Sequence, residues 1–272
     1  MSSTRAAAVV ARNHVVEWAG DGPPMLFSHG YGCDQTMWRF VMPSFQDTHR
    51  VIAFDHVGFG KSDIRAWDPV RHSSLQGYVA DVLEILSALD LHETVFVGHS
   101  VGAMIGLLAA VQDPSRFAHL VLVCPSPRFI DDPETGYVGG FSAEAIAGLV
   151  ASLHQDQQRW ADGIAPVIMG NRDRPELTAE LHASFCRVRP NIAETFARAT
   201  FESDYRAALE QVGTPTAIIQ TDPDVIAPLS VGEYLHAHIP GSTLTTLAAE
   251  GHCPNLSAPY PTADAIAEAI GA

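Results

Sequence analysis

One stretch constrains the fold of this chain more than any other: Gly98-His99-Ser100-Val101-Gly102. The residues before it, Thr94-Val95-Phe96-Val97, are β-branched or aromatic and predict a buried strand. The residues after it, from Ala103 to Ala110, are apolar and rich in helix formers. A chain that passes from strand to helix within so few residues must reverse sharply, which forces Ser100 into a strained backbone conformation. Gly98 and Gly102 leave room where a Cβ would clash in the close strand–helix approach. Ser100 is thereby lifted above the sheet at a helix N-terminus, where free N–H groups favour developing negative charge. G-x-S-x-G alone is a common pattern. Framed by this strand and this helix, it marks Ser100 as a candidate nucleophile.

The same alternation extends through much of the chain. Hydrophobic runs predict strands over 14–18, 25–28, 50–54, 94–97, 119–123, 216–220 and 243–247. Helical spacing is read over 35–45, from Ser73 or Ser74 to 89, over 229–238 and over 258–270. Strand alternating with helix is the pattern of an α/β protein, a mostly parallel, doubly wound sheet covered on both faces. Between 127 and 205 the alternation stops. Four helical patterns replace it, over 143–153, 157–169, 175–186 and 191–201, with Pro175 and Pro190 at or before helix starts. The expected organisation is a core of 1–126 and 206–272 interrupted by a helical lid insertion, 127–205. Phe129, Phe141, Trp160, Phe185 and Phe196 of the lid, with the Tyr31 ring, are expected to line an apolar pocket.

Composition narrows the partners. The chain carries 31 acidic against 16 basic residues, a formal net charge of −15. That disfavours nucleic acid and anionic membrane surfaces, both of which select basic patches. The four cysteines are scattered, without a C-x-x-C pair, and read as free thiols of a reducing, cytoplasmic setting. No signal-like or membrane-length apolar run is apparent. Gly58-Phe59-Gly60-Lys61-Ser62 lacks the spacing of a phosphate loop. Asp55, just before it, is expected to hydrogen-bond to the turn that follows. The histidines are dispersed, so no metal site is expected, and the chemistry below needs no cofactor.

A serine hydroxyl is a poor nucleophile until a base takes its proton, and the base needs a third group to fix its tautomer. In a strand–turn–helix site the partners follow in the order serine, acid, histidine, each after a strand. Thr221-Asp222-Pro223-Asp224 follows one late strand, and Glu250-Gly251-His252-Cys253-Pro254 follows the last. His252 is the candidate base. Asp222 and Asp224 both suit the acid; Asp224 is favoured because Asp222 precedes Pro223 and would readily shape the turn. The oxyanion donors are expected to be the backbone N–H groups of Val101 and Tyr31. His29 and His99 are expected to support the backbone near the site.

These residues resemble the α/β-hydrolase superfamily, and within it the group that holds the bacterial sigma-B energy-stress regulator hydrolase RsbQ and the plant karrikin and strigolactone receptors. The likeness is carried by Arg12-Asn13-His14, Gly30-Tyr31-Gly32-Cys33-Asp34-Gln35, the stretch from Glu93 to Gly102, Gly139-Gly140-Phe141, Asp173-Arg174-Pro175-Glu176, Ile226-Ala227-Pro228 and Glu250 to Pro254. The resemblance implies a Ser100–Asp224–His252 triad, a V-shaped four-helix lid and a closed apolar pocket. Two positions depart from the pattern. Pro223 stands where relatives usually carry a charged residue, and Tyr31 where phenylalanine is usual, so its hydroxyl is expected to add a polar group to the pocket. The implied activity is acyl transfer to Ser100 and hydrolysis of a small apolar ester or lactone. The alternative is a ligand receptor acting through a partner, such as a signalling phosphatase, with hydrolysis slow or incidental.

Overall fold

The computed structural model describes residues 3–271. Seven strands form one sheet: β1 (Val16–Trp18), β2 (Pro24–Ser28), β3 (Arg50–Ala53), β4 (Thr94–His99), β5 (Phe117–Val123), β6 (Thr216–Thr221) and β7 (Thr243–Leu247). Their spatial order is β1-β3-β2-β4-β5-β6-β7, with β1 antiparallel to β3 and every other pairing parallel. Ten α-helices accompany them: α1 (Ser3–Arg12), α2 (Leu75–Ala88), α3 (Val101–Gln112), α4 (Ala143–Gln155), α5 (Gln157–Met169), α6 (Pro175–Arg187), α7 (Pro190–Phe201), α8 (Leu229–His238), α9 (Pro254–Ser257) and α10 (Pro259–Ile270). None of the described helices is long and apolar enough to cross a membrane.

The topology alone gathers the site. β4, at the middle of the sheet, is buried along its whole length, as are β6 and nearly all of β2. Strands covered on both faces read as continuous apolar runs, which is why the pattern was readable. Because β2, β4, β6 and β7 run parallel, the loops after them open on one edge. Those loops carry Tyr31, Ser100, Asp224 and His252. Helices α4 to α7 leave the sheet between β5 and β6 and contact one another as α4–α5, α5–α6 and α4–α7.

Three sequence readings change. The helix expected over 35–45 is two 3₁₀ turns, Gln35–Trp38 and Met42–Phe45. Pro43 has no N–H to continue an α-helix, and the Asp34 carboxylate caps the first turn by accepting from the Thr36 amide. The terminal helix over 258–270 is preceded by a separate turn, α9. Helix α1 had no counterpart in the sequence reading. It is held by Arg12, which pairs with Glu84 at 2.5 Å and Asp81 at 3.3 Å on α2.

Three histidines lie fully buried near the sheet edge. Burial lowers the pKa of His29 and His56, and burial together with the neighbouring His252 lowers that of His99 to about 3. The folded protein therefore binds fewer protons than the unfolded chain below the ordinary value of 6.5. Stability is complete above that value and declines as pH falls, for His99 until about pH 3. His99 is expected to cost on the order of 1 kcal/mol by about pH 5.5, and His29 and His56 act in the same direction. Urea unfolding checks this: the midpoint at about pH 5.5 falls below that at about pH 7.5, and an equal or higher midpoint would contradict it.

Candidate active site

Ser100 sits at φ +54° and ψ −123°, a conformation L-residues rarely adopt. Strain of this kind costs on the order of 1–3 kcal/mol and persists only when its surroundings over-determine it. Here they do. A Cβ on Gly98 would lie 2.5 Å from the Ala103 Cα, and one on Gly102 2.4 Å from the His29 carbonyl oxygen. The Ser100 amide donates to the Val123 carbonyl at 2.8 Å, pinning the turn to β5.

The three candidate residues meet. His252 Nε2 is 2.8 Å from Ser100 Oγ, and His252 Nδ1 is 2.7 Å from Asp224 Oδ2. All three are buried. Asp224 spends its other oxygen on the chain: Oδ1 accepts from the Ile226 amide at 2.8 Å and the Ala227 amide at 3.2 Å. That leaves Oδ2 for the imidazole and fixes Nδ1 as the protonated nitrogen, with Nε2 free to accept from the serine. Asp222 is exposed and its side chain takes no part.

His252 is also held through its backbone. Its amide donates to the Ile168 carbonyl of α5 at 2.8 Å, and its carbonyl accepts from His99 Nε2–H at 2.7 Å. The Thr221 hydroxyl donates to the Gly251 carbonyl at 2.8 Å. His252 is thus gripped by the end of β6, the end of β4 and the four-helix insertion together. Gly30 fits beside this arrangement only without a Cβ, which would lie 2.5 Å from His99 Nδ1. His29 accepts from the His56 amide at 3.0 Å through Nε2 and donates through Nδ1 to the Gly30 carbonyl at 2.9 Å, so it shapes the loop.

The Tyr31 and Val101 amides have no hydrogen-bond acceptor among the described residues. The Tyr31 hydroxyl, expected to add polarity to the pocket, is spent instead. It donates to the Ala193 carbonyl of α7 at 2.9 Å, and burial pushes its pKa far up. Its ring stacks on Phe196 at 5.8 Å and touches Trp160, Phe185 and Phe201.

Around Ser100 the structure leaves a cavity of about 20 Å³, roughly room for one water molecule. Of the expected pocket residues, Tyr31 and Phe185 line it. Trp160 and Phe196 stand behind the Tyr31 ring, Phe129 packs on Phe201 at 5.1 Å, and Phe141 bridges to Ile130 through its backbone. Cys33, Ile168, Leu181, Phe201, Ile226 and Cys253 are lining residues the sequence reading did not assign. Ile226 and Cys253 had a signal in the sequence, since each lies within two residues of Asp224 or His252. Phe201 had only its place among the aromatics of the helical insertion, and Ile168 and Leu181 had no signal, because helical periodicity does not say which apolar face turns to the cavity. Cys124, Asp224 and His252 lie close enough to share an ion, but their donor atoms are engaged: Cys124 Sγ lies 3.4 Å from the Thr221 hydroxyl and the other two complete the chain to Ser100.

Parallel sheet, strained serine and buried histidine–carboxylate pair together define the α/β-hydrolase arrangement. Residues 23–259 match the model of the alpha/beta hydrolase fold family, and the chain belongs to that family. It is 38% identical to strigolactone esterase D14 of Arabidopsis thaliana, over 94% of this chain and 95% of that protein. It is 35% identical to karrikin insensitive 2 receptor CA of Petunia hybrida, over 92% and 93%. A solved hydrolase from Oleispira antarctica superposes with a TM-score of 0.91 at 41% identity, covering 93% of each chain.

Proposed function

We propose that this chain is a serine hydrolase of small apolar esters or lactones. The observation that carries the reading is the Ser100–His252–Asp224 chain of short contacts at a strained elbow. Ser100 Oγ attacks the substrate carbonyl while His252 Nε2 takes its proton, and Asp224 steadies the imidazolium. The oxyanion settles against the free N–H groups of Tyr31 and Val101. The imidazolium then gives its proton to the departing alcohol oxygen, leaving an acyl-Ser100. Water, deprotonated by His252, releases the acid and restores the hydroxyl. No step requires a metal or an organic cofactor. The apolar lining favours an apolar acyl group, and the esterase named among the relatives supports an ester or lactone.

A cavity of about 20 Å³ holds no acyl group, so the insertion acts as a lid that must draw back from Ser100 for each turnover. This favours a second reading, in which a ligand trapped under the lid is the signal and a partner such as a signalling phosphatase reads the lid surface in the cytoplasm. The receptor among the relatives supports it.

A fluorophosphonate probe tests the serine directly. Intact-mass measurement is expected to show one covalent adduct, mapped to Ser100 and missing in Ser100→Ala. No adduct, or one mapped elsewhere, would sink the mechanism. Turnover of p-nitrophenyl acetate separates the two readings: steady multiple turnover fits the hydrolase, a single stoichiometric burst fits the sensor.

A further inference from the structure

Back to back with the Ser100 cavity lies a larger space, a groove of about 590 Å³, within the range of small-molecule sites. It runs between the loops after β2 and β3 and the junction of α6 with α7. Cys33 lines both spaces. The Ser184 hydroxyl closes the wall between them by donating to the Gly32 carbonyl at 2.8 Å.

The groove reverses the charge of the chain. In a protein with 31 acidic and 16 basic residues, it gathers Arg39, Arg187, Arg189 and Lys61, the single lysine of the sequence. Its carboxylates are already engaged. Asp55 accepts from the Gln35 and Lys61 amides at 2.9 and 2.8 Å, as the sequence led one to expect of a residue beside that turn. Asp34 caps the first 3₁₀ turn and faces Arg187 at 3.4 Å. Arg39 is held by both oxygens of Glu180, at 2.6 and 2.8 Å. The Lys61 ammonium and the Arg189 guanidinium have no hydrogen-bond or ion-pair partner among the described residues. Most other arginines face a carboxylate. The same groove is also lined by the apolar side chains of Trp18, Met42, Ile64 and Val188. Two unspent positive groups next to apolar walls suit an anion with an apolar body, and a carboxylate matches the planar guanidinium.

We propose that this groove binds an organic monocarboxylate with an apolar aromatic body, the carboxylate on Lys61 and Arg189 and the body against Trp18, Met42 and Val188. The site is separate from Ser100, so the proposal stands whether or not the triad turns over.

Calorimetry with 1-naphthoate on the full-length Ser100→Ala protein tests it. One saturable site is expected, with Kd at or below about 1 mM. Lys61→Met and Arg189→Gln each weaken it by at least about tenfold, because each removes a charge-assisted contact. Both side chains are exposed and unpaired, so both variants fold, and in the native background Lys61→Met keeps p-nitrophenyl acetate turnover within about twofold. The neutral 1-naphthamide binds at least about tenfold more weakly. In ¹⁵N spectra the Trp18 indole N–H shifts on titration. Affinity unchanged in both variants, equal binding of the amide, or no saturable binding overturns the proposal. So do shifts confined to residues around His252, or displacement by inorganic phosphate at lower concentration than naphthoate.

Discussion

Ser100→Ala is expected to lose at least about 10⁴-fold in kcat/KM toward p-nitrophenyl acetate, close to 5.5 kcal/mol of transition-state stabilisation. The substitution removes one atom, the Oγ that His252 Nε2 contacts at 2.8 Å. It leaves the elbow as it was, because alanine meets the same cost at φ +54° that serine already bears. The hydrogen bond from the Ser100 amide to the Val123 carbonyl uses backbone only and survives. His252 stays oriented by Asp224, so general-base attack by water on a bound ester is the residual route, and it lacks the positioned nucleophile. Thermal unfolding shows whether the loss is chemical: the melting temperature should stay within a few degrees of the unaltered protein, about 1 kcal/mol of stability at most. A variant that folds and keeps more than about 1% of the rate would place the nucleophile elsewhere.

The sheet and the meeting of Ser100, Asp224 and His252 were legible in the sequence for the same physical reason. Strands buried on both faces cannot hide their apolar runs, and Leu120-Val121-Leu122-Val123 or Thr94 to His99 have no polar face to blur the pattern. Once those strands are placed parallel, residues just beyond their ends must converge, so Ser100, Asp224 and His252 follow from position. The four helices between β5 and β6 were legible too, but their facing was not. Trp160 and Phe185 are both buried aromatics on neighbouring helices in contact at 5.3 Å, yet only Phe185 reaches the cavity. Each helix has an apolar stripe wide enough to meet another helix and the core at once, and periodicity gives no phase finer than that. The Tyr31 hydroxyl illustrates a second limit. Its partner, the Ala193 carbonyl, is 162 residues away and is a backbone atom, so no side-chain pattern announces it. The 3₁₀ turns over Gln35–Phe45 show a third, where correct helical spacing yields to one proline and one aspartate cap. The groove at Lys61 was invisible because its walls come from four separate stretches of chain.

Asp224→Asn should lower kcat by about 10³- to 10⁴-fold with little change in KM or in melting temperature. The two oxygens of Asp224 do different work, and asparagine can replace only one of them. The Ile226 and Ala227 amides require an acceptor where Oδ1 stands, at 2.8 and 3.2 Å. The asparagine carbonyl oxygen satisfies both, so its NH₂ is turned toward His252 Nδ1. A donor there forces Nδ1 to accept, which moves the ring proton to Nε2. Nε2–H then points at Ser100 Oγ and cannot take its proton. The turn is kept and the base is lost, which is why structure and rate part company in this variant. Asp222→Asn, at an exposed position in the same loop, should stay within about twofold of the unaltered rate. If instead Asp224→Asn kept kcat within about tenfold, the tautomer of His252 would not be set by Asp224. The contacts of the His252 backbone with Ile168 and His99 would then have to hold the imidazole by themselves.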